Sequence, residues 1–165
     1  MPRLFIAITL PADLSVRVEA QRKELARVLP GGTVRWTRSP TGALQHHITL
    51  LFLGDTPPEQ VPPIREVMEQ VAATTAPLHL HIGAEGAFFQ RGRVRVLWRG
   101  VEGDTGPLQE VATALAQRLQ DPPRRQSFTP HLTLGRVCRE ARLSRESWQH
   151  ALDVLPSREP LDFSV

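Results

Sequence analysis

Two stretches of the sequence, His47-Ile48-Thr49-Leu50-Leu51-Phe52-Leu53-Gly54 and Thr129-Pro130-His131-Leu132-Thr133-Leu134-Gly135-Arg136, share the pattern His-x-Thr-Leu. Both are short apolar runs with β-branched members, which predicts strands. Residues two apart on a strand share a face, so the histidine and threonine of each copy point together. The residues between them point the other way and can pack under helices. Each copy therefore predicts a strand with one buried face and one face that carries a His/Thr pair.

Hydrophobic periodicity and turn residues divide the rest of the chain into short elements. Helices are predicted at 13–29, 62–73, 107–119 and 144–155. Strands are predicted at 4–10, 34–37, 46–53, 78–82, 94–101, 131–137 and 161–165, and loops at 39–42, 83–92 and 122–125. In each half of the chain, a helix is followed by a proline-containing loop and then by a His-x-Thr-Leu strand.

This internal similarity predicts an α+β fold in which residues 1–165 form a single domain of two similar lobes. We expect a bilobal, pseudo-twofold arrangement of two antiparallel sheets with outer helices and a central cleft. Two like strands related by such an axis would present His47 and His131 to the same cleft. A lone histidine is usually a surface or core residue bonded to backbone, but the duplicate in matching strand context favours a shared site.

The composition allows a packed core, since 41% of the residues are hydrophobic. The formal net charge is only +3, yet Lys23 is the only lysine, so almost all positive charge is arginine. Arginine presents a planar fork that matches phosphate oxygens. The excess suits a nucleic-acid ligand, and a compositional bias of the genome explains it equally well.

The single cysteine, Cys138, allows no disulfide within one chain, which indicates a reducing cytoplasm. No stretch approaches the roughly 20 apolar residues that a membrane helix needs, and the apolar N-terminus is too short for a signal peptide. We expect Cys138 to be buried and inert, and Trp36 and Trp98 to belong to the core.

The paired motif suits the opening of a cyclic phosphodiester. That reaction needs a base that deprotonates the nucleophile and an acid that protonates the leaving alkoxide, and two imidazoles with pKa values near neutrality supply both. The hydroxyls of Thr49 and Thr133 can donate hydrogen bonds to the non-bridging oxygens in the transition state. This scheme requires no metal and no cofactor.

Both motifs resemble those of the 2H phosphoesterase superfamily, in particular the RNA 2',3'-cyclic phosphodiesterases that are also called 2'-5' RNA ligases (LigT-like). The resemblance covers nearly the whole chain. The matching segments are Arg3-Leu4-Phe5-Ile6-Ala7-Ile8, Arg35-Trp36, Phe52-Leu53-Gly54, Gly86-Ala87-Phe88, Val96-Leu97-Trp98 and Phe128-x-Pro130-His131-Leu132-Thr133-Leu134-x-Arg136.

The resemblance implies hydrolysis of RNA 2',3'-cyclic phosphate ends to 2'-phosphomonoesters. We also expect a cytoplasmic monomer, with tRNA fragments among the candidate substrates. It makes His47 the proton donor to the 3'-oxygen and His131 the proton acceptor from water, a choice that the near-identical motifs alone leave open. It also matches Arg136 to an arginine that contacts phosphate. Strict alternation places Arg136 on the face opposite His131, so this role needs a bulge or the end of the strand.

The predicted loop at 83–92 holds further candidates for substrate binding. Arg91, Arg93 and Arg95 could contact RNA phosphates while Phe88 or Phe89 stacks on a base. A solvated, charged loop is an equally good interpretation of the same residues.

His79 and His81 share a strand face, but a metal site would need a third ligand such as His46 or Glu85, and no ligand spacing is evident. We therefore predict no metal site. Three alternatives to the RNA phosphodiesterase stay open: a phosphodiesterase for small cyclic nucleotides such as ADP-ribose cyclic phosphate, a 2'-5' RNA ligase, and a non-catalytic module that binds RNA ends. Two intact histidines count against the last of these.

Overall fold

The computed structural model describes residues 2–37, 46–119 and 128–165. The helices in these ranges are α1 (Ala12–Val28), α2 (Val61–Ala73), α3 (Thr105–Arg118) and α4 (Arg145–Val154), and a 3₁₀ turn at Pro58–Gln60 precedes α2. The strands are β1 (Arg3–Thr9), β2 (Val34–Trp36), β3 (His47–Asp55), β4 (His79–Gln90), β5 (Arg93–Gly103), β6 (His131–Val137) and β7 (Leu161–Ser164). The predicted loops at 39–42 and 122–125 lie outside the described residues.

Each predicted helix and strand is present, but the predicted loop at 83–92 is wrong. Strand β4 continues to Gln90 and pairs with β5 through the two-residue turn Arg91-Gly92, whose φ angles are 50° and 74°. Positive φ at both positions is the requirement of a tight hairpin turn. The glycines that suggested a loop have another use: a Cβ on Gly86 would overlap the indole of Trp98, which lies across the strand.

The strands pair antiparallel in the order β1-β3-β6-β5-β4-β7, and β2 pairs with β6 beside this path. The α+β class with antiparallel pairing is confirmed. The two expected sheets are hydrogen-bonded to each other, because β3 and β6 meet at the single pair Ile48 and Leu132. The two His-x-Thr strands are therefore neighbours at the centre of one seven-stranded sheet.

Helices pack against one face of the sheet. This is the face onto which the middle residue of each His-x-Thr motif points. Ile48 and Leu132 are fully buried in the larger hydrophobic cluster, to which α1, α3 and α4 all contribute. A smaller cluster joins Ile6 of β1 to Val71 of α2 and Leu115 of α3. Burial of one sheet face under helices leaves the His/Thr face as the open side of the central strands.

A buried arginine pair ties the helices to the outer strands. Arg99 is 1% exposed; its Nε donates to the Gly83 carbonyl at 2.6 Å, and its guanidinium lies 3.8 Å from Glu85. Arg158 contacts the same Glu85 and pairs with Glu24 of α1 at 2.9 Å. Buried guanidinium groups need such partners, so these two arginines serve the fold.

Candidate active site

The pairing of Ile48 with Leu132 sets the two motifs side by side on antiparallel strands. Extending this register by one residue in each direction places His47 opposite Thr133 and Thr49 opposite His131. Residues directly opposite each other share a face, so these four side chains lie together on the face away from the buried Ile48 and Leu132. The structure thus brings the four motif residues together, as the internal repeat predicts.

Strand β3 contains a bulge immediately after its motif. Consecutive residues of β1 pair with Thr49 and Leu51, which leaves Leu50 as an extra residue. An extra residue reverses the alternation of side chains beyond it. Phe52, five positions after His47, therefore turns onto the histidine face, where it is 50% exposed.

Strand β6 contains the same bulge at the equivalent position. Consecutive residues of β5 pair with Thr133 and Gly135, which leaves Leu134 as the extra residue. Arg136, five positions after His131, is accordingly exposed. The bulge that Arg136 needs to reach the face of His131 is therefore present.

Strand β2 holds the second bulge in place. Thr37, just after β2, donates its backbone N–H to the carbonyl of Leu134 at 2.9 Å. Its hydroxyl lies within hydrogen-bonding distance of the carbonyls of Thr133 and Leu134. Gly135 allows the close approach of β2, because a Cβ there would lie 2.6 Å from Val34. Both segments flanking the bulge are thus fixed by contacts outside β6.

Within the described ranges, the ring of His131 forms one hydrogen bond, from Nδ1 to the carbonyl of Thr129 at 2.6 Å. A carbonyl only accepts, so Nδ1 carries the proton. In the neutral imidazole the other nitrogen, Nε2, is then the acceptor. This tautomer leaves a basic nitrogen free on the ring.

Two aromatic rings enclose His131. Phe88 meets it edge-on with ring centroids 4.8 Å apart, and Trp98 lies at 6.2 Å. Burial lowers the pKa of His131 below the ordinary value of 6.5, and the positive charges of Arg136 and His47 lower that pKa further. The hydrogen bond to Thr129 acts in the opposite direction. The surroundings therefore favour the neutral imidazole.

His47 has a more open environment. Its ring stacks on Phe5 of β1 with centroids 4.9 Å apart, and Phe5 is itself 45% exposed. Phe5 also contacts Phe52, with their rings 6.1 Å apart. Among the described residues no group hydrogen-bonds to the ring of His47, so both ring nitrogens are available to a ligand.

A family model described as the 2'-5' RNA ligase superfamily matches residues 10–165, a range that includes both motifs. The chain belongs to the 2'-5' RNA ligase superfamily. The family resemblance of the two motifs is thereby confirmed.

Three curated relatives of this superfamily member are named RNA 2',3'-cyclic phosphodiesterase. The Geobacillus stearothermophilus protein is 31% identical over 80% of this chain, the Archaeoglobus fulgidus protein 34% over 84%, and the Thermus thermophilus protein 33% over 81%. The matches span 41%, 74% and 68% of the lengths of these relatives, respectively. The first relative is thus much longer than the part that matches.

Solved structures agree on the fold of this superfamily member. A crystal structure of a Thermus thermophilus protein matches with a TM-score of 0.64 and 27% identity, covering 99% of this chain and 82% of that one. Apo E. coli LigT matches with a TM-score of 0.66 and 24% identity over the same shares of the two chains. The latter likeness concerns the fold alone.

The predicted substrate-binding phenylalanines have different surroundings in this 2'-5' RNA ligase superfamily fold. Phe88 lies against His131, where it forms a wall of the site. Phe89 packs against the main hydrophobic cluster, and the guanidinium of Arg145 stacks over its ring at 4.1 Å. Phe89 is therefore unsuited to stack on a base, because its position in β4 places it on the opposite face from Phe88.

The predicted arginines lie at the tip of the β4–β5 hairpin. Arg91 occupies the turn and Arg93 begins β5. Arg95 is the extra residue of a bulge in β5, because two consecutive residues of β4 pair with Val94 and Val96. They therefore do not alternate along one extended loop. Nevertheless, Arg91, Arg93 and Arg95 all line one surface cavity.

The residues weighed as metal ligands do not converge. His79 Nδ1 lies 2.9 Å from the Ser164 hydroxyl, and His81 Nε2 lies 3.1 Å from Glu102. Glu85 is occupied by the buried arginines, and His46 is buried beside α1 with its pKa lowered chiefly by burial. Within residues 2–37, 46–119 and 128–165, no group of three potential ligands could hold a metal ion.

The structure adds site residues that the sequence did not single out. Trp98, expected in the core, lies on the site face opposite Thr133, and Phe5 supports His47. Arg35, noted only for its resemblance to the family, lies directly opposite Arg136. Such cross-strand neighbours follow from the register, which the local sequence does not specify. Cys138, expected to be buried, is half-buried.

Proposed function

We propose that this chain hydrolyses RNA 2',3'-cyclic phosphate ends to 2'-phosphomonoesters, with His131 as general base and His47 as general acid. The observation that carries the assignment is the hydrogen bond from His131 Nδ1 to the Thr129 carbonyl, which leaves Nε2 unprotonated. A lowered pKa keeps that nitrogen neutral at physiological pH, as a base requires.

The proposed reaction needs a proton transfer on each side of phosphorus. His131 Nε2 takes a proton from water as the water oxygen bonds to phosphorus. The bond from phosphorus to the 3'-oxygen breaks, and protonated His47 supplies the proton for that oxygen. The product keeps the phosphate on the 2'-oxygen, and the two histidines exchange protonation states, which solvent then resets.

The negative charge of the transition state needs donors in fixed positions. Thr49 and Thr133 lie between the two histidines on the same face, where their hydroxyls can donate to the non-bridging oxygens. Arg136, brought to this face by the bulge, supplies a charged donor whose fork suits a phosphate. Three relatives named RNA 2',3'-cyclic phosphodiesterase support this substrate for the present chain.

Product analysis tests this function. An RNA that ends in a 2',3'-cyclic phosphate should yield the 2'-phosphate and no 3'-phosphate, and His131→Ala should form this product far more slowly under the same conditions. Formation of the 3'-phosphate would reverse the assignment of the leaving oxygen. No product from any cyclic phosphate, with intact RNA-end binding, would instead support the non-catalytic module.

Ligation is a second candidate, because the matching superfamily carries the name 2'-5' RNA ligase. Joining is the same step with a 5'-hydroxyl in the place of water: the 5'-oxygen bonds to phosphorus as the 3'-oxygen leaves, so the same residues serve both reactions. A reaction with two RNA ends, one bearing the 5'-hydroxyl, would reveal a 2'-5' linked product. ADP-ribose cyclic phosphate belongs in the same assay as the small-nucleotide alternative.

We also propose that the whole chain acts as one monomeric domain in the cytoplasm, with tRNA fragments among its substrates. The continuous sheet supports the single domain, and the lone cysteine supports a reducing compartment. No helix in the described part of the chain is long and apolar enough to cross a membrane. Sedimentation of the purified protein tests the monomer.

A further inference from the structure

Six arginines form a continuous surface next to the four motif residues, which we call the arginine groove. Its members are Arg35, Arg91, Arg93, Arg95, Arg136 and Arg139. Two adjoining cavities of about 470 and 520 Å³ make up the groove. Gln90, Arg95 and Arg139 line both cavities, so one opens into the other.

The groove begins at the proposed active site. Arg136 shares a face with His131 because of the bulge in β6, and Arg35 of β2 lies directly opposite Arg136. From there the groove passes Arg95 and Arg139 to the hairpin tip. The β5 segment from Gly100, which pairs with His131, to Arg93 spans roughly 23 Å at the usual rise of a strand.

Among the described residues, no carboxylate forms an ion pair with the arginines of the groove. Like charges directly opposite each other on neighbouring strands are unfavourable, and Arg35 and Arg136 form such a pair. In the part of the chain that the structure describes, the six arginines have no ion pair with a carboxylate, and Arg95 has one polar side-chain contact, to Gln90 at 3.3 Å. By contrast, Arg99 and Arg158 each contact Glu85. A ligand with several negative charges would supply the missing partners.

We propose that the arginine groove binds successive phosphates of the RNA chain on the 5' side of the cyclic end. The inference rests on the proposed function and adds the substrate class, an oligoribonucleotide rather than a mononucleotide or ADP-ribose cyclic phosphate. A cationic groove that follows the backbone is the usual way to bind a single strand without reading its sequence. The length of the groove accommodates several nucleotides beyond the scissile phosphate.

Arg93 and Arg139 provide the test, because both lie away from the motif residues. The double variant Arg93→Ala/Arg139→Ala is compared with Arg65→Ala, an exposed arginine on α2. The substrates are an RNA of about eight nucleotides with a 2',3'-cyclic phosphate end, within the usual range of single-strand sites, and a mononucleoside 2',3'-cyclic phosphate.

The double variant should lower kcat/KM for the oligonucleotide by about tenfold and reduce the slope of its logarithmic salt dependence by about 1 to 2, since fewer counterions are released. Turnover of the mononucleotide and the behaviour of Arg65→Ala should match the wild type. Equal losses on both substrates, or no loss on the oligonucleotide, would overturn the groove. Failure of the wild type on both substrates would overturn the proposed function instead.

A binding measurement separates the groove from catalysis altogether. Cys138 is the only cysteine in the chain and lines the cavity beside Arg136 and Arg139, so its alkylation reports on occupancy of the groove. A saturating oligonucleotide that ends in a 2'-phosphate should slow alkylation, and a mononucleoside 2'-phosphate should not. An alkylation rate that the oligonucleotide leaves unchanged would contradict the proposal, whatever the activity.

Discussion

The two halves of the molecule contain the same motif in different surroundings. His131 is enclosed by Phe88 and Trp98 and has its proton fixed on Nδ1 by a backbone carbonyl. His47 stacks on one half-exposed ring, that of Phe5, and has no hydrogen bond from the described residues. In the proposed mechanism, the repeat supplies two identical imidazoles, and the environment of each one determines which proton transfer it performs.

The halves also differ at the position that each bulge brings to the shared face. That position holds Phe52 in the first half and Arg136 in the second. The four motif residues therefore lie between an aromatic end and a cationic end. A nucleotide has both an aromatic and an anionic part, so a face of this kind suits it better than a symmetric one.

Removal of either histidine tests the comparison most severely. We expect His47→Ala and His131→Ala each to lower turnover by about 10² to 10⁴-fold, the usual contribution of a general acid or base. The two variants should differ in pH dependence: loss of His131 removes the acid limb of kcat/KM, and loss of His47 leaves that limb in place. Identical profiles would mean that the two halves are equivalent. Thermal unfolding provides the control for folding.

The threonines should matter less than the histidines. Thr49→Val and Thr133→Val each remove one donor to the non-bridging oxygens, and we expect turnover to fall by about 10 to 10³-fold. Valine keeps the shape and the branched Cβ, so the strands should persist. Steady-state kinetics of the two variants, with circular dichroism as the control, checks the expectation. Full activity of both would make the threonines structural.

The pH profile should shift when the wall around His131 is opened. A general base acts in its neutral form, so activity falls as the pH drops below the pKa of the base. For His131, burial lowers this pKa below the ordinary value of 6.5. Phe88→Leu exposes the ring of His131, which should raise its pKa and move the acid limb to higher pH. Phe5→Leu, on the other half, should leave that limb unmoved. A shift with Phe5→Leu alone would assign the base to His47.

Chelation should have the smallest effect. The proposed proton transfers involve side chains from both halves and no metal, so an excess of EDTA should leave turnover within error of the untreated enzyme. Activity assays before and after dialysis against EDTA make the measurement. Loss of activity that a single divalent ion restores would place a metal between the two halves and refute the two-histidine mechanism.

Local patterns in the sequence predicted the helices and strands well. The spacing of apolar residues indicates which face of each element is buried, and prolines and glycines mark where the elements end. The face shared by His47, Thr49, His131 and Thr133 follows from the two-residue period of a strand. The extended β4 was missed because Gly83 and Gly86 resemble loop residues, although they make room for Glu102 and Trp98 across the strand.

The remaining site residues depend on register, which local sequence does not determine. Trp98 and Arg35 reach the site as cross-strand partners of Thr133 and Arg136. Arg136 itself requires a bulge, and the sequence showed only that one was needed. Phe88 and Phe89 are adjacent residues of β4, so their side chains lie on opposite faces of the strand, and Phe88 alone of the two lies against His131. A predicted loop at 83–92 gave no reason to distinguish the two residues.

The paired bulges have a consequence for how such proteins diversify. Phe52 and Arg136 lie on the histidine face without belonging to the core, and the residue after each, Leu53 or Val137, packs against the hydrophobic clusters. Mutation at these two sites can therefore change ligand preference while the acid and the base stay untouched. Deletion of Leu134, in contrast, would turn Arg136 inward and Val137 outward, so insertions and deletions are the changes that selection should exclude from this strand.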